Sequence, residues 1–477
     1  MVEPSSFLFY DLETTGLHPA FDQILQFAAT RTDLELQPLP GEEYNVRVRL
    51  RPDVFPAVGA LLTTGLSIYD LLDGTSEYDA AREIHRLVNT PGTISVGYNS
   101  LAFDDEFLRF TFYRNLLAPY DHQWKDGCRR MDLLPIVVMY SIFRPDALRW
   151  PRPDGLLSLQ LERLNRLNDL AEGPAHDALA DVKATVTLAR HLQRRTRSWR
   201  SFTDGFWKQT ANERRSMLPR AMEDEPFPCA VLVRPDFGER QAYQSPALYL
   251  GRSIPYTNQH LWLRLDRPDF TVLPTDLVGA LPGSLLVVRQ RKGDGCFVLP
   301  PGRAMLQRAQ EERFHRNLGW LRRHRRALRQ IVHYFTTFTY PKTKGVDVDA
   351  ALYLNSFFRP EEMALFSLFH QASVGERVEI LCRFERPWVR LLAERLLARN
   401  YGLGYLFAGY EAFTAGICGD EARAPLDWKG NRRRTPAAVL GEIDEARSAG
   451  DVDAAGLALV AGLEQYISRF VERSATG

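Results

Sequence analysis

Asp11 and Glu13 stand two residues apart at the end of an apolar run, Phe7-Leu8-Phe9-Tyr10-Asp11-Leu12-Glu13-Thr14-Thr15-Gly16. Side chains on a strand alternate faces, so both carboxylates leave one face where the strand gives way to a turn. Two acids held that close repel each other unless a cation lies between them. A sparse set of hard oxygen donors suits Mg²⁺ or Mn²⁺ better than zinc. A second group, Asn99-Ser100-Leu101-Ala102-Phe103-Asp104-Asp105-Glu106, puts Asp104 near the start of a helical pattern. Unpaired N–H groups and the helix dipole favour negative charge there, and a plain helix cap would satisfy the same pattern. A third group, His176-Asp177-Ala178-Leu179-Ala180-Asp181, opens another helix. Inside one regular helix His176 and Asp181 would point about 140° apart. They converge only if His176 lies in the preceding loop. Pro174 favours such an approach and Asp177 suits the N-cap, although a histidine before a helix is also a common surface residue.

The elements that must position these groups follow from hydrophobic period. Strand-like runs at Phe7–Asp11, Ile24–Arg31, Tyr44–Leu50 and Thr93–Tyr98 alternate with helical patterns at Ala80–Val88, Glu106–Leu117, Leu133–Phe143, Leu157–Leu167 and Ala178–Leu192. This is an α/β core with a mixed sheet, over residues 1–195, whose strand ends and helix starts can bring the acids to one edge. Arg194–Ser198 reads as a linker. From 198 to 343, short strands at Cys229–Val233, Leu248–Ile254, Leu261–Leu265, Leu285–Arg289 and Cys296–Leu299 suggest a small barrel. From 345 to 477 the pattern is helical: Pro360–Gln371, Arg377–Phe384, Trp388–Asn400, Pro436–Ala446 and Val452–Arg473.

The order Asp-x-Glu, Asn-x-x-x-Phe-Asp, His-x-x-x-x-Asp resembles the DEDDh branch of the 3′→5′ exonuclease superfamily, which has an RNase H-like fold. Gly97-Tyr98-Asn99, Phe112-Tyr113-Arg114-Asn115, Asp132-Leu133-Leu134, Ala175-His176-Asp177-Ala178 and Leu397-Ala398-Arg399-Asn400-Tyr401 narrow the resemblance to the bacterial exodeoxyribonuclease I family. The resemblance implies an SH3-like second domain, with an arginine-rich helical elaboration, and a helical C-terminal domain. It implies a single-strand-specific 3′→5′ DNA exonuclease that releases 5′-mononucleotides, is processive and serves DNA repair. Two divalent ions, Mg²⁺ or Mn²⁺, would be held by Asp11, Glu13, Asp104 and Asp181, with His176 as general base. Glu13, with the Thr14 and Thr15 backbone, would grip the terminal 3′-hydroxyl. Arg109, Tyr120 and Trp124 would contact the strand, although an isolated aromatic more commonly packs in a core. Gln160 stands where the family pattern has an arginine, which removes a charge that Arg129 or Arg130 could replace. A ribonuclease of the same superfamily is the second enzymatic reading, disfavoured by the long extension after residue 195. A non-catalytic DNA-binding adaptor is the third, disfavoured by the intact acids. All five catalytic candidates precede residue 190, so the α/β region alone is expected to suffice for chemistry.

A chain of 477 residues exceeds one typical domain. Its net charge of +1 excludes a uniformly basic nucleic-acid binder. Charge is nonetheless dense between Arg303 and Arg329, where Arg308, Arg313, Arg316, Arg322, Arg323, Arg325 and Arg326 face only Glu311 and Glu312. Phe314 and Trp320 are interleaved, so this helical stretch is a candidate for tracking phosphates and stacking bases. By resemblance it is also a candidate surface for the acidic tail of single-stranded DNA-binding protein. The five cysteines are scattered and form no Cys-x-x-Cys pair, which points to neither a disulfide framework nor a thiolate zinc site and suits a reducing cytoplasm. No apolar run approaches a membrane span, and a soluble monomer is expected.

Overall fold

The computed structural model describes residues 3–171, 177–206, 215–222, 227–273, 285–291, 293–418, 421–450 and 452–476. Its first sheet has the order β3-β2-β1-β4-β5, with β1 (Ser6–Thr14), β2 (Ile24–Thr32), β3 (Pro38–Arg47), β4 (Thr93–Gly97) and β5 (Arg129–Asp132). β1 pairs antiparallel with β2 and parallel with β4, giving the mixed sheet expected. β3 begins earlier than anticipated. It carries Pro38 and Pro40 because it is the edge strand, where a missing N–H breaks no ladder. β5 escaped sequence reading because four residues led by two arginines carry no apolar signal.

Around this sheet lie α1 (Val58–Thr64), α2 (Glu77–Val88), α3 (Asp104–Arg114), α4 (Leu133–Phe143), α5 (Leu161–Asn168) and α6 (Ala178–Gln193). The alternation of β1 decides what each face meets. Leu8, Tyr10 and Leu12 pack with Ala80 and Ile84 of α2 and Phe107 and Leu108 of α3. Phe7 and Phe9 pack on the opposite face against Ala178, Val182 and Val186 of α6. Asp11 and Glu13 continue the Phe7–Phe9 row, and so they point toward α6.

The stretch expected as a linker instead leads into α7 (Thr196–Thr203). Trp199 and Phe206 are buried in the same cluster as Tyr140 of α4, Val233 and Phe297 of the second sheet, and Tyr243 just before one of its strands. That sheet is fully antiparallel, in the order β10-β6-β7-β8-β9: β6 (Cys229–Val233), β7 (Gln244–Arg252), β8 (Gln259–Arg264), β9 (Val287–Arg291) and β10 (Phe297–Leu299). α8 (Arg308–Arg323) and α9 (Arg325–Thr337) cover one of its faces. Phe314 and Trp320 are buried there with Leu248, Leu261 and Leu263, so the aromatics proposed to stack bases are core residues. Three arginines of α8 take acidic partners: Arg308 pairs with Glu312, and Arg313 and Arg316 with Asp269.

The last region is helical, with α10 (Pro360–Gln371), α11 (Val374–Ile380), α12 (Pro387–Tyr401), α13 (Ala408–Cys418), α14 (Pro436–Ala449) and α15 (Ala454–Thr476). Its core merges with the outer layer of the first region: Phe21, Phe55, Tyr78 and Phe110 belong to one buried cluster with Phe366, Leu392, Val439 and Leu463. All five cysteines are free, and among the described residues no helix is long and apolar enough to cross a membrane.

Candidate active site

β1 runs past the point where its pairing with β4 stops, at Phe9 opposite Val96. Asp11 and Glu13, on the next two outward steps of the same face, are left half-buried beyond the ladder. β4 ends at Gly97, where a Cβ would lie 2.4 Å from the Ser100 Cβ, so only glycine permits the tight turn. Asn99 follows in the left-handed region at φ 63°, which asparagine tolerates. This turn delivers Asp104 as the first residue of α3, buried beside the end of β1. Asp177 caps α6, accepting from the N–H groups of Leu179 and Ala180 at 3.0 Å each. The cap sets Asp181 in the first turn, above the Asp11–Glu13 row.

The carboxylates lie close enough to raise one another's resistance to ionisation. Burial raises Asp11 well above the carboxylate range, and Asp104, Glu13 and Asp181 push it further up. Glu13 is raised to about 8 by burial and by Asp181 and Asp177. Asp104 is raised by burial, with Asp132, Glu13 and Asp105 adding to it. Among the described residues no Arg, Lys or His forms an ion pair with Asp11, Glu13 or Asp104, whereas other buried acids of the molecule have such partners. His176 lies outside the described residues.

Two further acids, which sequence reading did not assign, hold the surroundings. Asp132 accepts from the N–H groups of Asn99 (2.9 Å) and Leu101 (3.2 Å) and caps α4 through Leu134 (2.9 Å). It thereby pins the turn that leads to Asp104. Its place before an apolar helix was the available signal. Asp105 is buried and binds Arg109 (2.6 Å), His122 (2.9 Å) and Arg130. No local pattern announces those partners.

A cleft of about 3020 Å³ passes this end of the sheet. Its wall runs through Asn99, Leu101, Ala102 and Phe103, the residues leading to Asp104; none of the four carboxylates is itself among the lining residues. Arg109, Tyr120 and Trp124 all line it, as do Arg129 and Arg130. Trp124 is 64% exposed, and Tyr120 lies under Arg109 with its ring centre 5.7 Å from the guanidinium carbon. Two proposed contacts are placed otherwise. Gln160 is exposed and off the lining. The Thr15 N–H, expected at the 3′-hydroxyl, is taken by the Gln23 carbonyl (2.9 Å), whereas the Thr14 hydroxyl donates to the Gly16 carbonyl (2.8 Å), a bond that does not involve the Thr14 backbone. No residue of the Arg303–Arg329 run lines the cleft.

A family model described as an exonuclease matches residues 8–189. Exodeoxyribonuclease I of Escherichia coli (strain K12) is 40% identical over 195 residues, which is 40% of this chain and 41% of that protein. The protein of the same name from Buchnera aphidicola subsp. Schizaphis graminum is 32% identical over 270 residues, covering 55% and 53%. By sequence, the chain thus spans about half or less of these curated relatives. By structure it spans far more: E. coli exonuclease I solved in complex with a dA16 oligonucleotide matches 98% of this chain and 100% of that one, with TM-score 0.81 and 27% identity. Across its length the chain is thus similar in fold to exonuclease I of E. coli, and it carries an exonuclease domain over residues 8–189. Its exonuclease domain implies dependence on a divalent metal. The donor set fits that requirement, because carboxylates buried together without a protein counter-charge ionise only beside a cation. Among the described residues no three His, Cys, Asp or Glu side chains form a ready-made cage.

Proposed function

We propose that this chain is a member of the exodeoxyribonuclease I family, hydrolyses single-stranded DNA from its 3′ end and releases 5′-mononucleotides. The observation that carries the reading is the carboxylate group of buried Asp104 and half-buried Asp11, Glu13 and Asp181, without protein cations on Asp11, Glu13 or Asp104, beside a cleft rimmed by arginine and aromatic side chains. Those four residues would hold divalent ions, Mg²⁺ or Mn²⁺, which when bound supply a nucleophilic water and neutralise phosphate charge. His176 takes the proton from the attacking water, a task suited to a side chain that titrates near neutrality. Glu13 orients the terminal 3′-hydroxyl. Arg109 pairs with the backbone of the incoming strand, and Tyr120 and Trp124 offer faces on which bases stack, a contact tolerant of sequence. The three regions, 1–195, 198–343 and 345–477, act as one monomer around the strand, in DNA repair. The arginines of α8 and α9, off the cleft, are the candidate surface for the acidic tail of single-stranded DNA-binding protein.

End-labelled single-stranded DNA incubated with the protein and Mg²⁺ tests the reading. Mononucleotides should leave from the 3′ end, more slowly from duplex or RNA. Preferential digestion of RNA would establish the ribonuclease reading, and binding without hydrolysis would establish an adaptor. His176→Ala should lower turnover ~10²–10⁴-fold with little loss of DNA affinity.

A further inference from the structure

The loop after the Asp11–Glu13 strand is built around a single carboxylate. Asp22 is buried and accepts from the Thr15 hydroxyl (3.0 Å) and the His18 N–H (2.9 Å). The Thr15 hydroxyl accepts in turn from the Gln23 N–H (2.9 Å). Gly16 lets the carboxylate in, since a Cβ there would stand 2.5 Å from the Asp22 Oδ2. Residues 15–23 therefore close on Asp22, directly after the strand that carries the two candidate metal ligands.

The remaining partners come from the far end of the chain. Arg434 donates from Nη1 to the Asp22 Oδ1 at 2.8 Å and is itself held through Nε by Glu442 of α14 at 3.2 Å. Glu442 also accepts from the Val58 N–H at the start of α1, at 2.9 Å. His18 meets Asp427 through Nε2 at 2.8 Å, stacks on Phe21 and lies edge-on to Trp428. Asp427 is fixed by the N–H groups of Lys429 and Asn431, each at 2.7 Å. The helical region thus grips the loop at two charged points, one on each side of its turn.

We propose that Asp22, His18, Asp427 and Arg434 are positioning residues. They make the C-terminal region part of the catalytic unit by fixing the direction in which Asp11 and Glu13 leave β1. This rests on the metal-dependent exonuclease reading above and contradicts the expectation that the α/β region suffices for chemistry. A carboxylate displaced by part of an ångström still lies in the pocket but no longer shares an ion with its neighbours. The loss therefore falls on metal affinity and turnover rather than on DNA binding.

The test uses the full chain and two readouts: Mn²⁺ binding by calorimetry without DNA, and kcat and KM on a single-stranded oligonucleotide. Arg434→Gln should weaken Mn²⁺ binding ~10–100-fold, the range for partners that orient metal ligands, and lower kcat with KM nearly unchanged. Arg434→Lys restores a charge to Asp22 and should recover most of both. Asp427→Asn, which keeps the side-chain shape, should give a smaller loss of the same kind and serves if Arg434→Gln does not fold. Wild-type Mn²⁺ affinity in a folded Arg434→Gln protein overturns the proposal. So does an equal loss in Gln and Lys variants that tracks a fall in Tm, because that pattern marks a merely structural contact. If the unmodified protein binds Mn²⁺ yet releases no nucleotide, the function reading fails while the Mn²⁺ comparison still decides the positioning role.

Discussion

Two groups of buried carboxylates lie in this molecule, and they are built in opposite ways. At the junction of the first and last regions, Asp53 meets Arg399 at 2.8 Å and Arg433 at 2.7 Å. Asp349 meets Arg399 at 2.5 Å and Arg395 at 2.9 Å. Glu77 meets Arg114 at 2.8 Å and Arg51 at 3.0 Å. Burial opposes ionisation of each, but the guanidiniums outweigh it. Asp53 and Asp349 are held below the usual range, and Glu77 at about 2. In the candidate active site burial acts with no such opposition, and like charges add to it, so Asp11, Glu13 and Asp104 are all raised. The same desolvation leads to opposite protonation, according to whether the chain itself supplies the counter-charge. A closed junction supplies it; a site that receives a cation from solution leaves it out.

The contrast is broken most directly by Asp11→Ala. Nucleotide release in Mg²⁺ should be abolished while Tm in chelator is kept or raised, because a carboxyl group desolvated without a protein counter-charge has gone. Retention of more than a few per cent of turnover would show that Asp11 is not a metal ligand. Asp349→Ala should do the reverse. It takes one carboxylate partner from each of Arg395 and Arg399, leaving them only Asp347 and Asp53 respectively, and should cost about 3–5 kcal/mol in urea unfolding, with any folded protein still binding Mn²⁺. A neutral result would mean that Asp347 and Asp53 balance the two guanidiniums by themselves. A subtler effect is expected of pH. Glu13 is raised from an ordinary value of 4.5 to about 8, so between these pH values the folded chain keeps a proton that the unfolded chain has lost. Stability in chelator should therefore fall as pH rises through that window, and Glu13→Gln should flatten the fall. Metal binding should tighten over the same window as the protons leave; opposite slopes would contradict the assignment. The smallest change is expected from replacing Arg322, Arg323, Arg325 and Arg326 by Ser. Each phosphate contact adds ~0.7 to the salt slope of single-strand binding. A run that lies off the cleft should leave that slope nearly as it was, and a clear drop would place the DNA path over α8 and α9.

How much of this was legible depended on whether the determinant was local. β1 could be read because alternation and the Asp-x-Glu spacing lie within a few residues of each other. α4, α10 and β6 have the boundaries their apolar patterns and flanking breakers suggest. The acids of the site were found because three short segments carry them in a recognisable order. Phe314 and Trp320 were misread because helical spacing gives a face, not what covers it, and the second sheet covers theirs. Asp22 and Asp427 could not be assigned at all. Their partners lie at the opposite end of the chain, and nothing near Asp53 in sequence distinguishes an acid with three arginines from one with none.

Trp199, Phe202 and Phe206, seated between α4 and the second sheet, bear on how this chain can be divided. A fragment ending at residue 195 would lose all three rings and leave Tyr140 facing water. Such a surface is adhesive, and the fragment should associate with itself instead of remaining dispersed. The nuclease portion is thus not a cassette to be cut out and joined to another protein. A fusion intended to carry its activity must bring along a substitute for those rings, or keep the second sheet.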